Sequence, residues 1–131
     1  MNLAVEQSLT NWLRSLEAFD GIAIHTGQSN AEIPGDAPAI ICAAESVEAM
    51  STVLHKATAS IVLATPSTLD LEQHRQLVDS LRAALYAPTD LPDAFAPAAT
   101  LLGADLQTFA ESQTDDRWLC TAQLTLGLSL I

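Results

Sequence analysis

At 131 residues, with 22 alanines, an apolar fraction of 49% and only 5% aromatics, the chain reads as one domain, 1–131, whose aliphatic core needs neither disulfides nor a structural metal. Sixteen acidic residues against five basic ones give a net charge of −11. Arg14, Lys56, Arg75, Arg82 and Arg117 form no cluster in sequence, which argues against direct gripping of DNA, RNA or an anionic membrane. No apolar run suffices for a transmembrane helix, and Met1–Glu6 lack the basic-then-apolar order of a signal peptide.

The first element is a helix over 4–18. Val5, Leu9, Trp12, Leu13 and Leu16 form one apolar stripe, with Glu6, Gln7, Asn11, Arg14 and Glu17 elsewhere. Phe19-Asp20-Gly21 ends it, glycine tolerating the left-handed backbone of a helix terminus. Ile22–Thr26 reads as a short strand. Gly27–Asp36 is a polar loop too long for a hairpin turn, and Ala39–Ala44 is a well-buried second strand. Glu45–Met50 fits either a loop or a helical turn.

Thr52–Thr65 is one long extended segment with Val53, His55, Ala57, Ala59, Ile61 and Leu63 on one face. Leu54 and Val62 point the other way, so a bulge or an irregular first half is expected there. Pro66 has no N–H to continue a ladder and stops the strand. Ser67 and Asp70 then have the spacing of a capping pair for a helix over 68–86. His74, Leu77, Val78, Leu81 and Leu85 share its inner face.

Pro88–Pro97 is a connecting loop broken by one short helical turn. Leu102–Ala110 and the regularly alternating Trp118–Leu130 form an antiparallel pair across Ser112–Asp116. The order is α-β-β-β-α-β-β. The implied fold is α+β, a mostly antiparallel sheet of about five strands with two long helices packed on one face. Its longest strands are expected near 52–65 and 116–130.

Chemistry is hard to find. His25, His55 and His74 have no spacing that would put two ligands on one ion, and His74 on an apolar helical face reads as a core residue. Cys42 and Cys120 make no C-x-x-C pair; buried free thiols are the plain reading, a disulfide the lesser one. No G-x-S-x-G elbow or phosphate-binding loop is present, and Asp115-Asp116 reads as a solvated turn rather than an acid–base pair. Glu72 with Arg75 and Asp79 with Arg82 are ordinary helix-surface pairs. Trp12 and Trp118 read as core anchors. No catalytic residue, cofactor site or metal site is assigned, and the chain is not expected to be an enzyme.

One resemblance is carried by the long strand ending Ala64-Thr65-Pro66, by Asp70-x-x-x-His74-Arg75-x-Leu77-Val78 in the following helix, and by Asp115-Asp116-Arg117-Trp118 opening the last strand. This pattern resembles the tail-terminator (tail-completion, minor tail) proteins of long-tailed bacteriophages and prophages, over nearly the whole chain. The resemblance implies a self-assembled ring, usually a hexamer, that caps the tail tube and presents the surface to which the head joins. The partners would be further copies of the chain, the tail-tube protein and a head-completion protein. The place would be the virion tail, after synthesis in the bacterial cytoplasm.

Gln28, Asn30, Glu32 and Asp36 in the first loop, Asp90 and Asp93 in the second, and Asp115 and Asp116 in the hairpin turn are the candidate assembly-contact residues. Unpaired sheet edges offer a further contact. The alternatives are another neck or minor tail component, or a small α+β ligand-binding or enzyme domain of bacterial metabolism.

Overall fold

The computed structural model describes residues 2–27 and 37–130. Helix α1 (Asn2–Arg14) buries Val5, Leu9, Trp12 and Leu13. It stops short of residue 18 because the Ser15 hydroxyl donates to the Trp12 carbonyl at 2.6 Å and competes for it. The chain tightens into a 3-10 turn at Glu17–Phe19, then reverses at Gly21, whose φ of 81° is left-handed.

Five strands follow in one sheet: β1 (Ala23–Thr26), β2 (Ala39–Ala49), β3 (Leu54–Pro66), β4 (Thr100–Gln113) and β5 (Arg117–Ser129). Across the sheet the order is β1-β2-β3-β5-β4, which differs from the chain order. β1 runs parallel to β2, and the other three pairings are antiparallel, so the sheet is mixed. A parallel neighbour requires the chain to return to its starting end, which explains why the connection from Gly27 to Pro38 exceeds a hairpin.

Three expectations are corrected here. Residues 45–49 are neither loop nor helical turn but the second half of β2, because Val47, Glu48 and Ala49 pair with Ala57, Lys56 and His55. The bulge falls in β2, between Ala44 and Ser46, while β3 itself runs without interruption from Leu54 to Pro66. Ser67 does not cap helix α2 (Leu71–Tyr86). Asp70 is the cap, accepting the Glu72 N–H at 3.1 Å, whereas the Ser67 N–H donates to the Asp116 carbonyl at 2.9 Å.

Between α2 and β4 a single short helix, α3 (Leu91–Phe95), buries Leu91 and Phe95. Both long helices lie on one face. Val5, Leu9 and Leu13 of α1, and Val78, Leu81 and Leu85 of α2, join one core with the inward residues Ile61 and Leu63 of β3 and Leu124, Leu126 and Leu128 of β5. Cys42 on β2 and Cys120 on β5 are in the same core, with β3 between their strands. Two strand spacings separate them by about 10 Å, too far for a disulfide.

Candidate assembly surface and the buried polar groups

Gln28, Asn30, Glu32 and Asp36 lie outside the described residues. The other candidate contact residues are all exposed, and they fall in two separate groups. Asp90 precedes α3 at its N-cap position and Asp93 sits on it, beside the start of β4. Asp115 and Asp116 form the β4–β5 turn at the far end of β5. Thirteen residues of β5 put about 40 Å between the two groups. The turn is tied down at two points. The Thr114 N–H donates to the Arg117 carbonyl at 2.8 Å, and the Thr114 hydroxyl donates to the Asp116 carboxylate at 3.1 Å.

The turn also docks on the β3–α2 corner. Thr65 pairs with Trp118 and Pro66 with Arg117, and the Ser67–Asp116 hydrogen bond closes the contact. His74, 2% exposed, places Nδ1 at 2.8 Å from the Thr65 hydroxyl and its ring 5.6 Å from the Trp118 ring. Burial holds its pKa below the ordinary imidazole value; Glu111 pushes it up and Arg75 pushes it down. His74 is therefore a hydrogen-bonded core histidine, as its helical position implies. Trp12 is fully in the core, while Trp118 stands at its margin.

The sequence did not reveal a polar seam under α1. Glu6 is 1% exposed, and its carboxylate accepts the Ala44 N–H at 2.8 Å, beside the bulge of β2. Thr10 is 2% exposed, and Arg14 donates to the Ile24 carbonyl at 2.5 Å. Glu6, Thr10 and Arg14 recur every four residues, one step round from Leu9 and Leu13. That periodicity was the available signal, and reading only the apolar stripe hides it. Below this seam, burial pushes the Cys42 thiol up to about 12, with Glu6 raising it and Thr10 and Arg14 opposing. Burial likewise raises Cys120 to about 11. Neither thiol is activated for chemistry.

The three histidines remain apart: His25 half-buried on β1, His55 half-buried on β3, His74 on α2. Among the described residues no group of three His, Cys, Asp or Glu side chains could hold a metal ion. Asp79 and Arg82 form an exposed pair at 3.5 Å, and Arg82 also lies 4.8 Å from the centre of the Phe109 ring. The expected Glu72–Arg75 pair is not formed. Both side chains are exposed, where water competes well with such a contact.

No family model and no curated protein matches the chain. Solved structures do match in three dimensions. One of them, whose name is only a sequence identifier, superposes with a TM-score of 0.58 at 10% identity, over 98% of this chain and 93% of its own. Likeness at that identity shows the fold alone.

Proposed function

We propose that the chain is a structural subunit of a phage or prophage tail, a tail terminator that closes the tail tube as a ring and joins it to the head. The observation that carries this reading is the unit built around the β3–α2 corner. Of the stretches that resemble the tail-terminator family, 64–66 and 70–78 are neighbours in sequence and 115–118 is distant, yet all three pack together. Ala64-Thr65-Pro66 pairs with Leu119-Trp118-Arg117, Asp116 receives the Ser67 amide, and His74 bridges Thr65 and Trp118. Weak motifs that assemble into one unit support a family reading better than the same motifs scattered through a fold.

The charge is compatible with the role. A ring through which DNA passes benefits from repelling phosphate, and a net charge of −11 does so. No helix among the described residues is long and apolar enough to cross a membrane. The test is to mix the purified chain with tail tubes and image the product by electron microscopy. Rings at tube ends, with tube length fixed thereafter, are the expected result. Decoration along the tube would favour another neck or minor tail component. Indifference to tubes together with a bound metabolite would favour the metabolic alternative.

A further inference from the structure

We propose that the cleft between α1 and β1 is a carboxylate-binding site, and that its ligand is the Asp115–Asp116 turn of a neighbouring copy of this chain. The proposal rests on the ring reading above and names its contact. The cleft encloses about 460 Å³ and is lined by Gln7, Thr10, Asn11, Arg14, His25 and Thr26. Its described lining is thus two amides, two hydroxyls, a guanidinium and an imidazole. In a chain with 16 acidic residues and five basic ones, a concave site with an arginine and no acidic residue in that lining is a marked local reversal of charge.

One detail fits the site to an anion. Arg14 donates to the Ile24 carbonyl, which anchors the guanidinium at the cleft and leaves further N–H donors of its planar fork for a carboxylate. Thr10 is 2% exposed, and its hydroxyl lies in the core beside the Cys42 thiol, so it adds no donor to the cleft.

The position of the cleft identifies the occupant. β1 is the outermost strand on one side of the sheet, and β4 is outermost on the other. The acidic turn between β4 and β5 is exposed, closed by its own hydrogen bonds, and three to four strand spacings, roughly 14–19 Å, from the β1 edge. Complementary groups on opposite edges of one subunit cannot meet within it. Between copies they make a head-to-tail contact, which closes into a ring when the rotation permits; a two-fold dimer would need one patch to match itself.

Site-directed cross-linking tests the contact. Gln7→Cys lines the cleft and Gln113→Cys precedes the acidic turn, both on exposed positions. The native Cys42 and Cys120 are buried and leave little background. The full-length double variant, treated with a short bis-maleimide with and without tail tubes, should give a ladder of dimers, trimers and higher species, while neither single variant should. Arg14→Gln or Asp115→Asn/Asp116→Asn should lower ladder yield by at least about tenfold, and Arg14→Lys should retain much of it. Circular dichroism of each variant checks that it folds. A ladder indifferent to Arg14→Gln, dimers from the single variants, or no ladder under either condition would overturn the proposal. So would saturable, Arg14-dependent binding of free acetate in a chain that gives no ladder. A ladder from chains that ignore tubes leaves this contact standing and removes the tail reading. Capped tubes without a ladder do the reverse.

Discussion

Glu6→Ala probes the one charged side chain buried under α1. The carboxylate accepts the Ala44 N–H at 2.8 Å, where the β2 bulge interrupts pairing with β3. A hydrogen bond to a charged group contributes about 1.5–3 kcal/mol, and a buried amide left without an acceptor costs a similar amount. These are two descriptions of one loss and are not summed. Removing the side chain also forfeits packing of its methylenes, at about 0.8 kcal/mol each, while relieving the cost of keeping a carboxylate out of water. The net expectation is a destabilisation of about 2–3 kcal/mol. For a domain of this size that is a fall in Tm of roughly 8–12 °C. Glu6→Gln keeps an acceptor oxygen of nearly the same shape and should cost less than about 1 kcal/mol. Urea denaturation of the three proteins measures the differences, and amide hydrogen exchange at Ala44 reports the local effect. If Glu6→Ala falls within about 0.5 kcal/mol of the parent, or Glu6→Gln is equally damaging, the carboxylate does not support the bulge and the reasoning fails.

Other outcomes follow from the same packing. Leu81 is completely buried, so Leu81→Ala should destabilise by roughly 2–5 kcal/mol; Glu72→Ala on the exposed face should cost less than about 0.5 kcal/mol, and equal urea midpoints would mean that α2 is rotated. His74 has a pKa lowered by burial, so its contribution is complete above the unfolded imidazole value of about 6.5 and declines as pH falls below it. The urea midpoint of the parent should therefore drop between pH 7.5 and 5 more than that of His74→Gln, and parallel pH profiles would contradict this. Cys42 and Cys120, raised to about 12 and about 11, should react with an aromatic disulfide reagent only at the rate of unfolding; fast labelling of the native chain would show an opening that the core does not contain.

The parts of the fold that were legible in sequence are those whose environment is set by local periodicity. Cys120, Ala122, Leu124, Leu126 and Leu128 alternate along β5 and are all buried, and His74, Val78, Leu81 and Leu85 mark the buried face of α2 as their spacing implies. What was not legible depends on partners distant in the chain. Glu45–Ala49 become a strand because β3 supplies their ladder. The Ser67 amide goes to Asp116, across the corner, and leaves the cap to Asp70. The same holds for the sites. The exposed acids of the turns were visible as loop residues; the four-residue spacing of Glu6, Thr10 and Arg14 puts them on one face, but burial of Glu6 and Thr10 follows from where α1 lands on β2.

Edge-to-edge strand pairing is the obvious way for an open sheet to self-associate, yet both edges here are poorly suited to it. β1 is four residues long and offers few unpaired groups. β4 is longer, but its register is broken between Leu101 and Gly103 and again between Leu106 and Thr108, and it carries exposed Asp105 and Glu111. Bulges twist an edge away from a flat template, and a buried carboxylate would be costly in a new ladder. Copies of net charge −11 also repel one another unless a contact brings opposite charges together. A ring of this chain is therefore better held by side chains reaching between opposite edges than by an extended sheet. Such a contact loses its pairing attraction as ionic strength rises, whereas strand addition through backbone hydrogen bonds has only the like-charge repulsion to lose and should strengthen. Sedimentation of the assembled species from low to high salt separates the two modes, and assembly that strengthens steadily with salt would argue against charge pairing as its basis.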